Sequence, residues 1–162
     1  MRAMREGLVR LSEDVHALSY RLHPSTLEDL GLTAALKSEC ERFSQTCSTR
    51  LETSLQDLPE TLPRDVALCL FRIAQEGLRN IARHARASQA KVRLQRLDGG
   101  LQLTVKDDGT GFDPAQHRTR TSLGHAGMQQ RVSLLGGRIT IRSRPGHGVT
   151  IEAWVPLREK PS

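Results

Sequence analysis

Along this chain the spacing of apolar positions changes character several times. Leu8, Leu11, Val15, Leu18 and Leu22 recur at alternating steps of three and four, a heptad seam that Pro24 interrupts. Ala35, Leu36, Cys40, Phe43 and Cys47 then share one side of a second helical stretch over residues 32–47. The segment TSLQDLPETLPRD, with two prolines, is the best linker candidate. Beyond it, RDVALCLFRIAQEGLRNIARHARAS predicts one long helix with an apolar stripe of Leu70, Ala74, Leu78 and Ile81. The period next falls to two: AKVRLQRL and LQLTVKD alternate as half-buried strands across a DGG turn. A polar loop leads to a short helix, AGMQQRVSLL, stopped by Gly136 and Gly137. The strands RITIRSR and VTIEAWV close the chain across the turn PGHG. Such an order is α+β, with helices on one face of a mixed or antiparallel sheet.

Composition narrows the class. The 162 residues suit one domain with a fragment of a second. No run approaches the roughly 18 apolar residues of a membrane span, and the first residues lack the apolar core of a signal peptide. Cys40, Cys47 and Cys69 are an odd number without metal-ligand spacing, each in an apolar helical pattern, as expected of core thiols in a reducing cytoplasm. The net charge is +6, but the arginines are scattered among glutamates and aromatics make up only 3%. A nucleic-acid module needs stacking platforms, so a solvated basic surface attracting phosphates or acidic partners fits better.

Three constellations carry candidate chemistry. Glu76, Asn80 and His84 follow at steps of four along one edge of the long helix, between the apolar stripe and Arg72, Arg79 and Arg83. Glu with Asn one turn later offers oxygen ligands of the kind Mg²⁺ takes, although polar pairs at that spacing are common on helices. Asp107 continues the apolar face of Leu101, Leu103 and Val105, where a carboxylate is costly unless capped, paired or awaiting a donor such as an adenine amino group. The DGTG that follows lets the backbone turn sharply beside a planar group, or simply closes a hairpin. In SLGHAGMQQR, Gly124 and Gly127 flank an expected loop opening a helix, where free N–H groups hold phosphates; Gly127 could equally be a packing site. Neither GxxxxGK[ST] nor GxGxxG is present.

In this order and spacing the three elements resemble the ATP-binding domain of two-component sensor histidine kinases, the Bergerat or GHKL fold, nearest the nitrate-sensor and lipid-fluidity-sensor type. FRIAQEGLRNIARHARAS resembles the family's N box, DDGTGFD its first glycine box, and SLGHAGMQQRVSLLGGRITIRSRPGHGVTIEAWVPL its second glycine box and closing strands. LSYRLHPSTLEDLGLTAAL is similar to the end of the dimerisation and phosphoacceptor domain. The resemblance implies a two-layer α/β sandwich in which residues 63–160 form the catalytic unit, 31–62 a connecting helix and linker, and 1–30 the end of the dimerisation helices. It further implies that Asn80 ligates Mg²⁺ on the ATP phosphates, that Glu76 orients water or the incoming group, and that Asp107 accepts from the adenine amino group. Gly109 and Gly111 would let the chain pass the base, Gly124 and Gly127 would shape a lid, and His84 would contact phosphate or remain a surface histidine.

Departures accompany the likeness. Ser122 stands where the family usually begins its second glycine box with glycine, and Val149 where a threonine usually supports the adenine site. The family's phosphorylated histidine sits in an H-D/E motif well upstream, whereas His16 follows an acid and His23 adjoins Pro24; both are expected to be structural. The chain is therefore expected to be a cytoplasmic fragment of a homodimeric kinase, working with a response regulator and without nucleic acid, and joined to a membrane only through upstream segments. The rivals are a serine kinase of the same fold, resembling anti-sigma factors and disfavoured by LHPSTLEDLGL, and a degenerate ATP-binding scaffold.

Overall fold

The computed structural model describes Met4, Gly7, Leu11, residues 25–115 and residues 121–158. The rest of the N-terminal seam, His16, His23 and the Ser122 side chain lie outside what is described. The elements are α1 (Ser25–Thr46), β1 (Arg50–Gln56), α2 (Arg64–Asn80) continued by a π turn (Ile81–Ala85), β2 (Gln89–Leu97), β3 (Gly100–Asp107), α3 (Thr121–Leu134), β4 (Arg138–Ser143) and β5 (Val149–Pro156). The sheet has five strands in the order β1-β2-β3-β5-β4. β1 runs parallel to β2 and the other neighbours are antiparallel, so the expected α+β class holds.

Strand alternation builds the two layers. Val92 and Leu94 of β2, Leu101, Leu103 and Val105 of β3, and Ile151, Ala153 and Val155 of β5 all face inward and are buried. They meet Leu70, Ile73, Ala74 and Leu78 of α2, Leu36 and Phe43 of α1, and Met128 and Val132 of α3. At about 1.5–3 kcal/mol for each large apolar side chain removed from water, this single core is the main stabilising term. The alternate strand positions, among them Lys91, Arg93, Thr104 and Lys106, face away from it. Asp98 at φ 50° and Gly99 at φ 70° make the tight β2–β3 turn. α3 stops where expected, with Gly136 at φ 72° and the Gly137 N–H bonded to the Val132 carbonyl at 3.0 Å.

Four expectations change. The linker candidate is shorter than expected: its first residues are strand, with Thr53 and Leu55 of β1 paired with Val92 and Leu94, its last two open α2, and only residues 57–63 are irregular. RLETSLQ shows little alternation because β1 is an edge strand with one neighbour and partial cover. α1 begins before residue 32, at Ser25, and bends at Gly31, whose φ of 84° interrupts the helix. The long helix leaves α geometry after Asn80, and Arg86 ends it at φ 47°. There the Ala85 carbonyl accepts from the Thr110 N–H at 2.7 Å, so the last turn is opened by a contact to a distant loop. Finally, Gly124 and Gly127 flank no loop: both lie inside α3, which is already helical at Thr121.

Candidate functional site

A cavity of about 410 Å³ opens between α2, the β3–α3 loop, α3 and the sheet. Gly77, Asn80, Ile81 and His84 line it at helical spacing, while Val105, Asp107, Val149 and Ile151 line it from β3 and β5. Thr110, Gly111 and Phe112 come from the loop and His125 from α3. The volume falls within the usual range for small-ligand sites, about 300–1,000 Å³.

Asp107 is 4% exposed, and its Oδ1 accepts from the Gly109 N–H at 2.8 Å. The Val149 backbone N–H also donates to this carboxylate. Burial raises its pKa above the ordinary carboxylate value, and the two N–H donors only partly oppose that rise. Two backbone donors leave acceptor capacity on a group buried in the cavity wall, which suits an exocyclic amine on a planar ring between Val105, Ile81, Val149 and Ile151. Val149 thus contributes its backbone N–H and an apolar wall but no hydroxyl, and Thr150 is absent from the described lining.

The loop after β3 is clamped on both sides. Asp108 Oδ1 accepts from the Ser88 and Gln89 N–H groups at 2.8 and 2.9 Å. Thr110 accepts from the Gly146 N–H at 2.7 Å, and the Phe112 N–H donates to Ser143 Oγ at 2.8 Å. A Cβ at Gly109 would lie 2.1 Å from the Ala85 carbonyl oxygen. One at Gly111, whose φ is +60°, would lie 2.2 Å from that of Arg144, so neither position admits a side chain without a backbone shift.

Of the expected site residues, Asn80, His84, Asp107 and Gly111 line the cavity, and Gly109 packs behind it on Ala85. Glu76 lies one turn before Asn80, with Oε2 3.5 Å from Arg79 Nη1. Its Oε1 stands where a Cβ on Gly124 would approach to 2.9 Å, so Gly124 serves close packing of α3 on α2. Gly127 has nothing within 4 Å of its Cβ position and does not line the cavity. Its N–H lies deep enough in the helix to bond one turn back, unlike the free donors expected there. Among the described residues no three His, Cys, Asp or Glu side chains converge on a metal position. A cation held by Asn80 would share its ligands with a bound phosphate and water, as Mg²⁺ does.

Sequence reasoning missed Gly77, Ile81, Thr110, Phe112 and His125 as lining residues. His125 had a signal: with Met128 and Val132 it makes a 3-then-4 spacing, which marks the inward face of α3.

Fold and site together define a nucleotide-sized pocket between a helix layer and a mixed sheet. Residues 65–159 match the histidine kinase-, DNA gyrase B-, and HSP90-like ATPase family, and the chain belongs to that family. Membership implies ATP as the ligand. The chain is 35% identical over 153 residues to the sensor histidine kinase MctS of Rhizobium johnstonii, covering 93% of this chain and 33% of that protein. It is 31% identical over 157 residues to the signal transduction histidine-protein kinase/phosphatase DegS of Brevibacillus brevis, covering 97% and 40%. The chain thus spans well under half the length of these relatives. Among solved structures, the histidine kinase domain of the blue-light activated kinase of Erythrobacter litoralis superposes with a TM-score of 0.65 at 24% identity, over 78% of this chain and 61% of that one. The histidine kinase AdeS of Acinetobacter baumannii gives 0.70 at 16%, over 98% and 86%. At these identities the structures support the fold alone.

Proposed function

We propose that the chain is the catalytic ATP-binding portion of a bacterial sensor histidine kinase, acting in transfer of the ATP γ-phosphoryl to a histidine and onward to an aspartate of a response regulator. The observation that carries this reading is the buried Asp107 carboxylate, held by backbone donors in an apolar-walled cavity that Asn80 also lines. Similarity to named histidine kinases over more than nine-tenths of the chain supports the choice of reaction.

Asp107 accepts a hydrogen bond from the adenine amino group, and Gly109 and Gly111 keep the base against the loop. Asn80 would hold Mg²⁺, which would supply charge neutralisation for phosphoryl transfer. Glu76, one turn away, orients water or the incoming group, and His84 meets the phosphates from the π turn. Such chemistry depends on positioning, which the clamped loop and the packed α2 provide. Residues 63–160 carry the nucleotide-binding residues, 31–62 lead into them while packing α1 and β1 on the same core, and 1–30 end the dimerisation helices of a homodimer. The proposed setting is cytoplasmic; among the described residues no helix is long and apolar enough to cross a membrane.

Calorimetric titration with Mg·ADP, beside Asp107→Asn, tests the reading. Saturable one-site binding that the substitution abolishes is the expected result. A folded chain that takes up no ADP overturns the assignment of Asp107 and Asn80.

A further inference from the structure

Among the described residues that line the cavity there is no lysine or arginine. A nucleotide's phosphates must still find donors, and the lining side chains able to offer an N–H are Asn80, His84 and His125. His84 is exposed on the π turn, whereas His125 is half-buried and braced. Its place on α3 is set by Met128 and Val132, which anchor the same helix face in the core. Its ring lies 5.7 Å from that of Phe112 at a 36° tilt, and Phe112 is itself pinned through its N–H to Ser143 Oγ. Because Gly124 carries no side chain, α3 lies against Glu76, and His125 comes within electrostatic reach of that carboxylate. Glu76 precedes Asn80 by one turn, so His125 belongs to the Asn80 end of the site. Asp107, a carboxylate, marks the part suited to an amine.

We propose that His125 is a binding residue for the phosphate chain of the nucleotide, presented as an imidazole donor from α3 and held ready by Phe112. This assignment rests on the ATP-site reading above and adds to its expected residues a side chain that lies between the two glycines of the second glycine box. Phosphate contact through a braced imidazole distinguishes ADP from adenosine, because only ADP carries the group it meets. A hydrogen bond to a charged group contributes enough that its loss should cost roughly tenfold in affinity.

The experiment titrates the whole chain with ADP and with adenosine, each with Mg²⁺, for the unmodified protein, His125→Leu and His125→Gln. Leucine keeps an apolar contact for Phe112 without a donor; glutamine restores an N–H. The expected result is a roughly tenfold weaker ADP affinity in His125→Leu, unchanged adenosine affinity, and recovery of most of the loss in His125→Gln. Retained adenosine binding shows that the variant is folded. Equal ADP affinity in all three proteins overturns the proposal, as does parallel loss of ADP and adenosine, which would make His125 a packing residue only. If the unmodified chain binds neither ligand, the ATP-site reading fails and this assignment falls with it; adenosine binding with an indifferent His125 leaves that reading standing.

Discussion

Asp107 concentrates the conflict between folding and binding. Its carboxyl is buried, and its pKa is raised because desolvation outweighs the N–H groups of Gly109 and Val149. A raised folded-state pKa means that the folded protein holds this proton more tightly than the unfolded chain. The resulting stabilisation is full below the unfolded value near 3.8 and is lost as pH rises through the folded one, so ionised Asp107 destabilises the empty protein at neutral pH. Asp107→Asn keeps an acceptor and removes the charge. It is expected to raise the thermal midpoint of the ligand-free protein at neutral pH while eliminating ADP binding; a lower midpoint would contradict the desolvation account. Gly109→Ala tests the opposite kind of constraint. Its Cβ would press on the Ala85 carbonyl, and urea unfolding should show a loss of about 1–3 kcal/mol together with weakened ADP binding. The inward direction of Asp107 and the glycine turn after it were legible in LQLTVKDDGTG, since both are local properties, whereas the carbonyl that bars a side chain at Gly109 is that of Ala85 on a distant element. The contact between Glu76 Oε1 and Gly124 was not legible either, because it joins residues 48 apart in number whose helices meet only after packing.

At the scale of elements, α1 and β1 join the catalytic core in space. Leu36 is fully buried among core residues, Glu28 pairs with Arg64 at the start of α2, and β1 extends the sheet beside β2. Leu36→Ala should therefore lower the stability of the whole unit by about 2–5 kcal/mol in a single cooperative urea transition. A loss confined to a separate transition would show that α1 is only a connector. The π turn is the other element that local pattern could not reveal. Its apolar stripe continues through Ile81, so the periodicity runs on, but Ala85 directs its carbonyl to Thr110 and breaks the α ladder. β1 escaped notice for the converse reason: an edge strand needs only one partner and little apolar alternation, and its pairing residues lie about 39 positions away.

For the molecule as a whole, ligand binding and folding are linked through the cavity wall, to which α2, β3, β5, α3 and the loop all contribute. A nucleotide that binds only the folded chain should raise its stability by about 2.7 kcal/mol at a concentration one hundred times its Kd. Thermal melts with increasing Mg·ADP should show this shift, and Asp107→Asn should remove it. Sequence alone determined the α+β class, the inward direction of Asp107, the glycine-bearing turn that follows it and the helical edge that bears Asn80 and His84. These follow from periods of two and 3.6 and from the steric demands of single residues, which are written locally. Tertiary structure decided the rest: β1 as a fifth strand, the opening of the helix after Asn80, the helical state of Gly124 and Gly127, and the delivery of His125 to Phe112. Each of these depends on which distant surfaces come to share a core, and the burial of apolar area that brings them together is a property of the whole chain.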